Sequence, residues 1–175
     1  MKINNWYVIT GPSCSGKTTL IDSLGEKGYS VFYETARILI DQELKKGLTI
    51  TKVRQDEIAF QNKVLHMKVE REKKIDRQKI VFFDRGIPDT SAYYRLYNTP
   101  ASTLLKKALK NCYYRKVFFL EQLSYTSDAI RTETAQQQRK LSKMLKESYR
   151  QLNFDILTVP ILPIGKRVDF ILDNL

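Results

Sequence analysis

The chain has 175 residues, 42% of them apolar and 28% charged, which fits one globular domain with its own core and excludes extensive disorder. The two cysteines cannot form a disulfide framework, and apolar runs such as Ile80–Phe83 are too short to cross a bilayer. We therefore expect a reduced, cytoplasmic protein without a transmembrane segment or signal peptide. The net charge of +11 indicates attraction to nucleotides, nucleic acid or an anionic surface, although basic side chains on solvated helix faces give the same count.

Patterns typical of strands and helices alternate along the chain. Apolar runs predict strands over Trp6–Thr10, Ser30–Tyr33, Ile80–Phe83, Lys116–Leu120 and Asp155–Val159. Helical spacing and Gly or Pro stop signals predict helices over Lys17–Glu26, Thr35–Lys46, Thr51–Arg77, Asp89–Leu96, Ala101–Asn111, Thr134–Leu152 and Lys166–Leu172. The alternation predicts a single α/β domain over residues 1–175, with a five-stranded parallel sheet and helices on both faces. Ligands on such sheets bind at the carboxyl ends of the strands.

A phosphate-binding motif follows the first predicted strand. The segment from Gly11 to Thr18 matches G-x-x-x-x-G-K-[ST], in which glycines let successive backbone N–H groups point at one anion. Lys17 would reach the β- and γ-phosphates of a nucleoside triphosphate, and the Thr18 hydroxyl would bind Mg²⁺. The predicted nucleotide-binding residues are Gly11, Pro12, Ser13, Cys14, Ser15, Gly16, Lys17, Thr18 and Thr19.

Charged residues follow the second and third predicted strands. Asp84 closes an apolar strand, which is typical of a carboxylate that holds Mg²⁺ directly or through water. Arg85 could clamp a phosphate or a substrate oxygen. Glu34 could accept a proton from an attacking hydroxyl, or it could simply be a carboxylate that the helix dipole favours at a helix start.

The segment from Glu121 to Glu133 lacks clean periodicity and is a candidate lid. Kinases of small molecules commonly close a lid after the fourth strand, where an arginine neutralises charge that develops during transfer. Arg131 is the candidate for that role, and the alternative is an exposed arginine before a helix.

The P-loop and the motifs that follow the predicted strands resemble those of a known family. The chain resembles the small P-loop NTPases described as AAA-domain or nicotinamide riboside kinase-like ATPases, and more distantly the nucleoside and nucleotide kinases. The matching stretches are the P-loop, Tyr33-Glu34-Thr35-Ala36-Arg37, Phe83-Asp84-Arg85-Gly86-Ile87-Pro88-Asp89-Thr90, Ala92-Tyr93-Tyr94, Arg115-Lys116-Val117-Phe118, Arg131-Thr132-Glu133 and Val159-Pro160. The resemblance implies a catalytic base at Glu34, an Asp-Arg pair at Asp84 and Arg85, and a lid arginine at Arg131.

Two classes of function fit the sequence. The first is an ATP- and Mg²⁺-dependent kinase that transfers the γ-phosphoryl group to a hydroxyl of a nucleoside-like acceptor, with Lys17, Glu34, Asp84, Arg85 and Arg131 as catalytic residues. The second is a regulatory NTPase that recognises a protein partner or an anionic surface, as the positive charge suggests. ATP is favoured over GTP because the fourth strand leads into Leu120-Glu121-Gln122-Leu123 rather than an Asn-Lys-x-Asp element.

Overall fold

The apolar runs of the sequence form a parallel sheet at the centre of the molecule. A computed structural model describes residues 4–123 and 135–175. The strands are β1 (Trp6–Thr10), β2 (Ser30–Phe32), β3 (Val81–Asp84), β4 (Lys116–Leu120) and β5 (Ile156–Val159). All pair in parallel, in the spatial order β2-β3-β1-β4-β5, so the predicted five-stranded doubly wound sheet is confirmed.

Helices connect the strands and cover both faces of the sheet. They are α1 (Lys17–Glu26), α2 (Thr35–Lys45), α3 (Ile50–Val53), α4 (Glu57–Glu72), α5 (Ile87–Leu96), α6 (Thr103–Asn111), α7 (Ala135–Arg150) and α8 (Ile164–Leu172). Within the described ranges, none is long and apolar enough to span a membrane.

Alternation along the strands divides the core between the two faces. On one face, Tyr7 and Ile9 of β1 pack with Leu20 of α1 and Ile171 of α8. On the other face, Trp6 and Val8 pack with Phe83 of β3, Tyr114, and Tyr149 of α7. Because both faces of β1 are buried, the strand is rigidly held, and so is the loop that leaves its carboxyl end.

The sequence predicts one long helix over Thr51–Arg77, and this prediction is wrong. The structure has the short α3 and the longer α4, separated at residues 54–56. Asp56 starts α4 because its side chain accepts a hydrogen bond from the Ala59 backbone N–H at 2.9 Å. The Arg54 guanidinium then bridges the break by pairing with Glu57. A capping carboxylate therefore interrupts an apolar spacing that is compatible with a continuous helix.

The strand order fixes where a ligand can bind. β1 lies between β3 and β4, and Ile9 of β1 is in register with Asp84 of β3 and Phe118 of β4. The connections that leave β1 and β4 run in opposite directions across the sheet, so a crevice opens outside the carboxyl ends of these strands. Residues 124–134, which include Arg131 and most of the candidate lid at 121–133, lie outside the described residues.

Candidate active site

The loop from Gly11 to Gly16 connects β1 to α1 and lies against the end of β4. Gly11 has φ 143°, and a Cβ atom there would sit 2.1 Å from the Leu120 carbonyl oxygen. Only glycine fits such a close approach of two backbones, so the first fixed glycine of the motif is explained by packing as well as by conformation. The left-handed Gly16 (φ 83°) then turns the chain into α1, whose amino terminus faces the loop.

Lys17 is buried and its ammonium group lies over the loop. The Nζ atom donates hydrogen bonds to the Pro12 carbonyl oxygen at 2.6 Å and to the Ser15 hydroxyl at 3.2 Å. Thr18 and Thr19 follow in the first turn of α1 and are exposed. The predicted residues from Gly11 to Thr19 thus form one loop and helix start, with a positive charge held above it.

A second buried cation supports the loop from behind, and sequence reasoning missed it. Arg167 of α8 donates from Nη1 to the Ser15 carbonyl oxygen at 3.1 Å and from Nε to the Leu162 carbonyl oxygen at 2.7 Å. Arg167 falls on the buried face of α8 with Val168 and Ile171. That placement was the available signal, because a charged residue on an apolar face needs a specific partner.

Glu34, which follows β2, and Arg85, which follows the neighbouring strand β3, form an ion pair. The Arg85 Nε donates to Glu34 Oε1 at 2.8 Å, and the guanidinium is buried. Burial alone would raise the pKa of Glu34, but the positive charges of Arg85 and Lys17 and the Arg85 hydrogen bond lower it to about 2. Arg85 itself has φ 68°, a left-handed conformation that is unusual for arginine and that recurs at functional sites.

Asp89 organises this part of the site, although the sequence analysis assigned no role to it. Its Oδ1 accepts hydrogen bonds from the Thr10 hydroxyl and from Arg85 Nη1, the latter at 3.2 Å. Its Oδ2 accepts from the Gly86 backbone N–H at 2.9 Å and from the Tyr149 hydroxyl. Asp89 thereby ties the end of β1 to the start of α5 and orients the Arg85 side chain.

Asp84 is buried at the end of β3, and its Oδ1 has no hydrogen-bond partner among the described residues. Burial, reinforced by the negative charge of Glu34, raises the pKa of Asp84 to about 6. A buried carboxylate oxygen without a partner costs free energy unless a cation or a water molecule satisfies it. Such a carboxylate oxygen and the exposed Thr18 hydroxyl, which lines the cleft, are oxygen ligands of the kind that Mg²⁺ prefers.

One cleft joins the loop to the Glu34–Arg85 pair and extends beyond them. Its near wall is the stretch Ser13–Thr19, and its far wall is formed by α2, α4 and α5. The far wall is apolar at Ile40, Phe60 and Val64, and polar at Gln61. Lys68 of α4 also faces the cleft although it is buried. The predicted residues Lys17, Glu34 and Arg85 therefore line a shared space. Asp84 lines a small cavity of its own, which shares Arg85 and Lys68 with the cleft.

A parallel sheet in this order, with a phosphate-binding loop on its central strand, defines a protein with the P-loop nucleotide-binding fold. The chain belongs to the AAA domain family, whose model matches residues 6–167. No curated protein sequence matches the chain.

Solved structures with the same fold include kinases of small molecules. Deoxyadenosine kinase from M. mycoides has a TM-score of 0.65 and 17% identity, with 97% of each chain covered. Thymidylate kinase from Ehrlichia chaffeensis has a TM-score of 0.67 and 16% identity, with 98% of each chain covered. NadR, solved in complex with NR, has a TM-score of 0.71 and 16% identity over 98% of this chain and 50% of that one.

Proposed function

We propose that the protein is an ATP- and Mg²⁺-dependent kinase that transfers the γ-phosphoryl group to a hydroxyl of a nucleoside-like acceptor. The observation that carries this proposal is the continuous cleft that has the P-loop on one wall and the Glu34–Arg85 pair on the other. A kinase needs a second pocket, opposite the P-loop, for the acceptor. A protein that only hydrolyses a nucleotide does not need this second pocket. Here Ile40, Phe60 and Val64 offer one, with a Gln61 amide beside it, which suits a flat heterocycle.

The residues of the site have three roles: binding the phosphates, holding the metal ion and contacting the transferred group. The P-loop N–H groups and Lys17 bind the β- and γ-phosphates, and Arg167 keeps the loop in place through the Ser15 carbonyl oxygen. Thr18 and Asp84 would hold Mg²⁺, which when bound neutralises charge on the phosphates. Arg85 faces the transferred group, and its orientation is set by Glu34 and Asp89.

In the transfer step, the acceptor hydroxyl oxygen forms a bond to the γ-phosphorus. The bond between this phosphorus and the β–γ bridging oxygen breaks, and ADP leaves with that oxygen. The proton of the hydroxyl passes to Glu34. Since the pKa of Glu34 is about 2, its carboxylate is ionised at neutral pH but is a weak base. We propose that it orients the hydroxyl and takes the proton late, as the new bond forms.

The relatives in fold support this assignment. The M. mycoides structures are of a deoxyadenosine kinase with bound dATP or with products, and NadR was solved with NR and with NAD and AMP-PNP. The molecules bound in these structures are nucleotides, NR and NAD, and this chain has the same fold. ATP as the donor and a nucleoside-like acceptor follow from that likeness and from the cleft.

Product analysis with labelled ATP tests the proposal. The purified protein is incubated with γ-labelled ATP, Mg²⁺ and a panel of nucleosides and nucleotides, and the products are separated. We expect label on one class of acceptor and a large loss of transfer in Asp84→Asn, which keeps the shape but not the charge. Label found only on free phosphate would indicate an NTPase, and no turnover with any acceptor would indicate a binding protein; either result contradicts the proposal.

A further inference from the structure

Positive charge dominates the walls of the cleft. Among the described residues that line it, Lys17, Arg37, Arg54, Lys68 and Arg85 are cationic, and Glu34 is the one acid. Lys17 belongs to the P-loop and serves the nucleotide phosphates. The other four cations lie on the acceptor wall, where a neutral acceptor would gain little from them.

Arg54 and Arg85 have their charges matched within the protein. Arg54 donates from Nε and Nη2 to both carboxylate oxygens of Glu57, at 2.9 and 2.5 Å, and it also packs over the Phe60 ring. Arg85 is matched by Glu34 and Asp89. The charges of these two arginines are thus balanced inside the protein, so an excess of cations by itself does not identify a ligand.

Lys68 differs from these arginines. It is 6% exposed, and its Nζ donates to the Gly86 carbonyl oxygen at 2.7 Å, but no carboxylate of a described residue lies within ion-pair distance of it. Burial lowers the pKa of Lys68, while the more distant charges of Asp89, Glu34 and Glu72 oppose that shift. A buried ammonium group has three N–H donors, and the carbonyl oxygen uses one of them. Lys68 therefore lines the cleft with hydrogen-bonding capacity left for a ligand, and an anion bound there would favour its charged form.

We infer that the acceptor is an anion bearing a phosphomonoester group, and that Lys68 pairs with this group. The inference rests on the proposed kinase function and narrows its acceptor from nucleoside-like molecules in general to their monophosphates. A compact ammonium group suits phosphate as a point charge, whereas planar carboxylates are better matched by the fork of an arginine. The phosphate would also provide the buried Lys68 with the negative partner that the protein does not supply.

The test compares a nucleoside with its own monophosphate. Transfer from labelled ATP is measured for each member of the pair with the wild type, Lys68→Met, Lys68→Arg and Lys63→Met. Lys63 lies on the same helix but is exposed and outside the cleft, so its substitution removes an equal charge from another site. We expect the wild type to prefer the monophosphate, and Lys68→Met to lower kcat/KM for it by about 10- to 100-fold. Lys68→Arg should retain part of the preference, and Lys63→Met all of it.

A binding measurement completes the test without turnover. Calorimetry with a non-hydrolysable ATP analogue already bound compares the nucleoside, its monophosphate, a hydroxycarboxylate and inorganic phosphate. Tighter binding of the monophosphate, lost in Lys68→Met while analogue affinity is kept, supports the inference. Equal affinity of the wild type for the nucleoside and the monophosphate overturns the inference, as does tighter binding of the hydroxycarboxylate. The inference is also overturned if Lys68→Met weakens binding of the ATP analogue but not of the monophosphate.

The two proposals fail in different ways. If label is transferred to neutral nucleosides in preference to monophosphates, the proposal of an anionic acceptor is wrong. The proposed kinase function is then still supported. Absence of transfer to any acceptor would remove the kinase, and the calorimetric comparison would then decide directly whether the cleft binds a phosphomonoester. If Lys68→Met does not fold, the preference of the wild type and of Lys68→Arg still decides the outcome.

Discussion

Arg85 combines an unfavourable backbone conformation with a well-paired side chain. A left-handed φ of 68° costs a non-glycine residue free energy, of the order of 1–3 kcal/mol. The Arg85 backbone N–H donates to the Ile9 carbonyl oxygen at 3.0 Å, and its guanidinium binds Glu34 and Asp89. These contacts hold the strained residue at the end of β3, so that its side chain turns into the cleft rather than away from it.

Replacing Glu34 with Gln should therefore destabilise the protein in a pH-dependent way. The variant keeps the shape but removes one anionic partner of a buried guanidinium, which we expect to cost about 1–3 kcal/mol at pH 7. Because the pKa of Glu34 is lowered from its ordinary 4.5 to about 2, the native state favours its ionised form. The advantage of the wild type is complete above pH 4.5 and declines as the pH falls towards 2.

Urea unfolding at pH 7, 5 and 3.5 measures this dependence. The difference between wild type and variant should be similar at pH 7 and 5 and smaller at pH 3.5. If the variant is as stable as the wild type at pH 7, the ion pair contributes nothing to stability. If the difference in free energy of unfolding is the same at all three pH values, it does not arise from ionisation of Glu34.

The amino terminus of α5 is held by two buried tyrosines. Tyr114 accepts a hydrogen bond from the Ile87 backbone N–H at 2.9 Å and donates to Glu72. Tyr149 accepts from the Gly86 N–H at 3.1 Å and donates to Asp89. A Cβ atom on Gly86 would lie 2.8 Å from the Tyr149 hydroxyl oxygen and 2.9 Å from the Tyr114 ring, so glycine is required there for space. The turn from Arg85 into α5 thus depends on side chains from distant parts of the chain.

The two tyrosines should respond differently to loss of the hydroxyl. Tyr114→Phe removes the hydroxyl that the Ile87 N–H bonds to, and we expect a cost of about 1–3 kcal/mol. Tyr149→Phe should cost about 0.5–1.5 kcal/mol, because the Gly86 N–H keeps its bond to Asp89. Urea midpoints of the two variants are compared with Tyr113→Phe, whose side chain is 56% exposed and which should resemble the wild type. Equal costs for the two buried positions would contradict this account.

The strands and the P-loop could be predicted because short-range patterns determine them. Unbroken apolar runs mark buried parallel strands, and the motif from Gly11 to Thr18 carries its own backbone geometry. The break between α3 and α4 was missed because the capping tendency of Asp56 competes with a compatible apolar spacing. Lys68 and Arg167 were missed because their partners, Gly86 and Ser15, are distant in sequence. The position of Arg167 on the apolar face of α8 indicates that it needs a partner, but the sequence does not identify that partner.

At the scale of the whole molecule, the cleft is assembled from both ends of the chain. Residues before position 40 supply the P-loop and Glu34, the middle of the chain supplies Arg85 and Lys68, and α8 supports the loop through Arg167. A ligand that binds the assembled cleft and not the unfolded chain should stabilise the entire fold, by about 2.7 kcal/mol at a concentration 100-fold above its Kd.

Lys17→Ala should abolish most of this stabilisation. Thermal unfolding is followed with and without Mg²⁺ and a non-hydrolysable ATP analogue, and the rise in Tm should be large for the wild type and small for the variant. Lys27→Ala is the matched control, because Lys27 is exposed at the opposite end of α1. Equal rises in the Lys17 and Lys27 variants would remove Lys17 from the nucleotide site.

The contact between Arg167 and the Ser15 carbonyl oxygen also has a consequence for biosynthesis. The loop is synthesised before the edge strand β5 and before the arginine that supports it, which lies 152 positions further along the chain. A nascent chain therefore carries its phosphate-binding motif long before the motif is held in shape. Nucleotide binding that depends on this contact can stabilise the fold only after translation has passed α8.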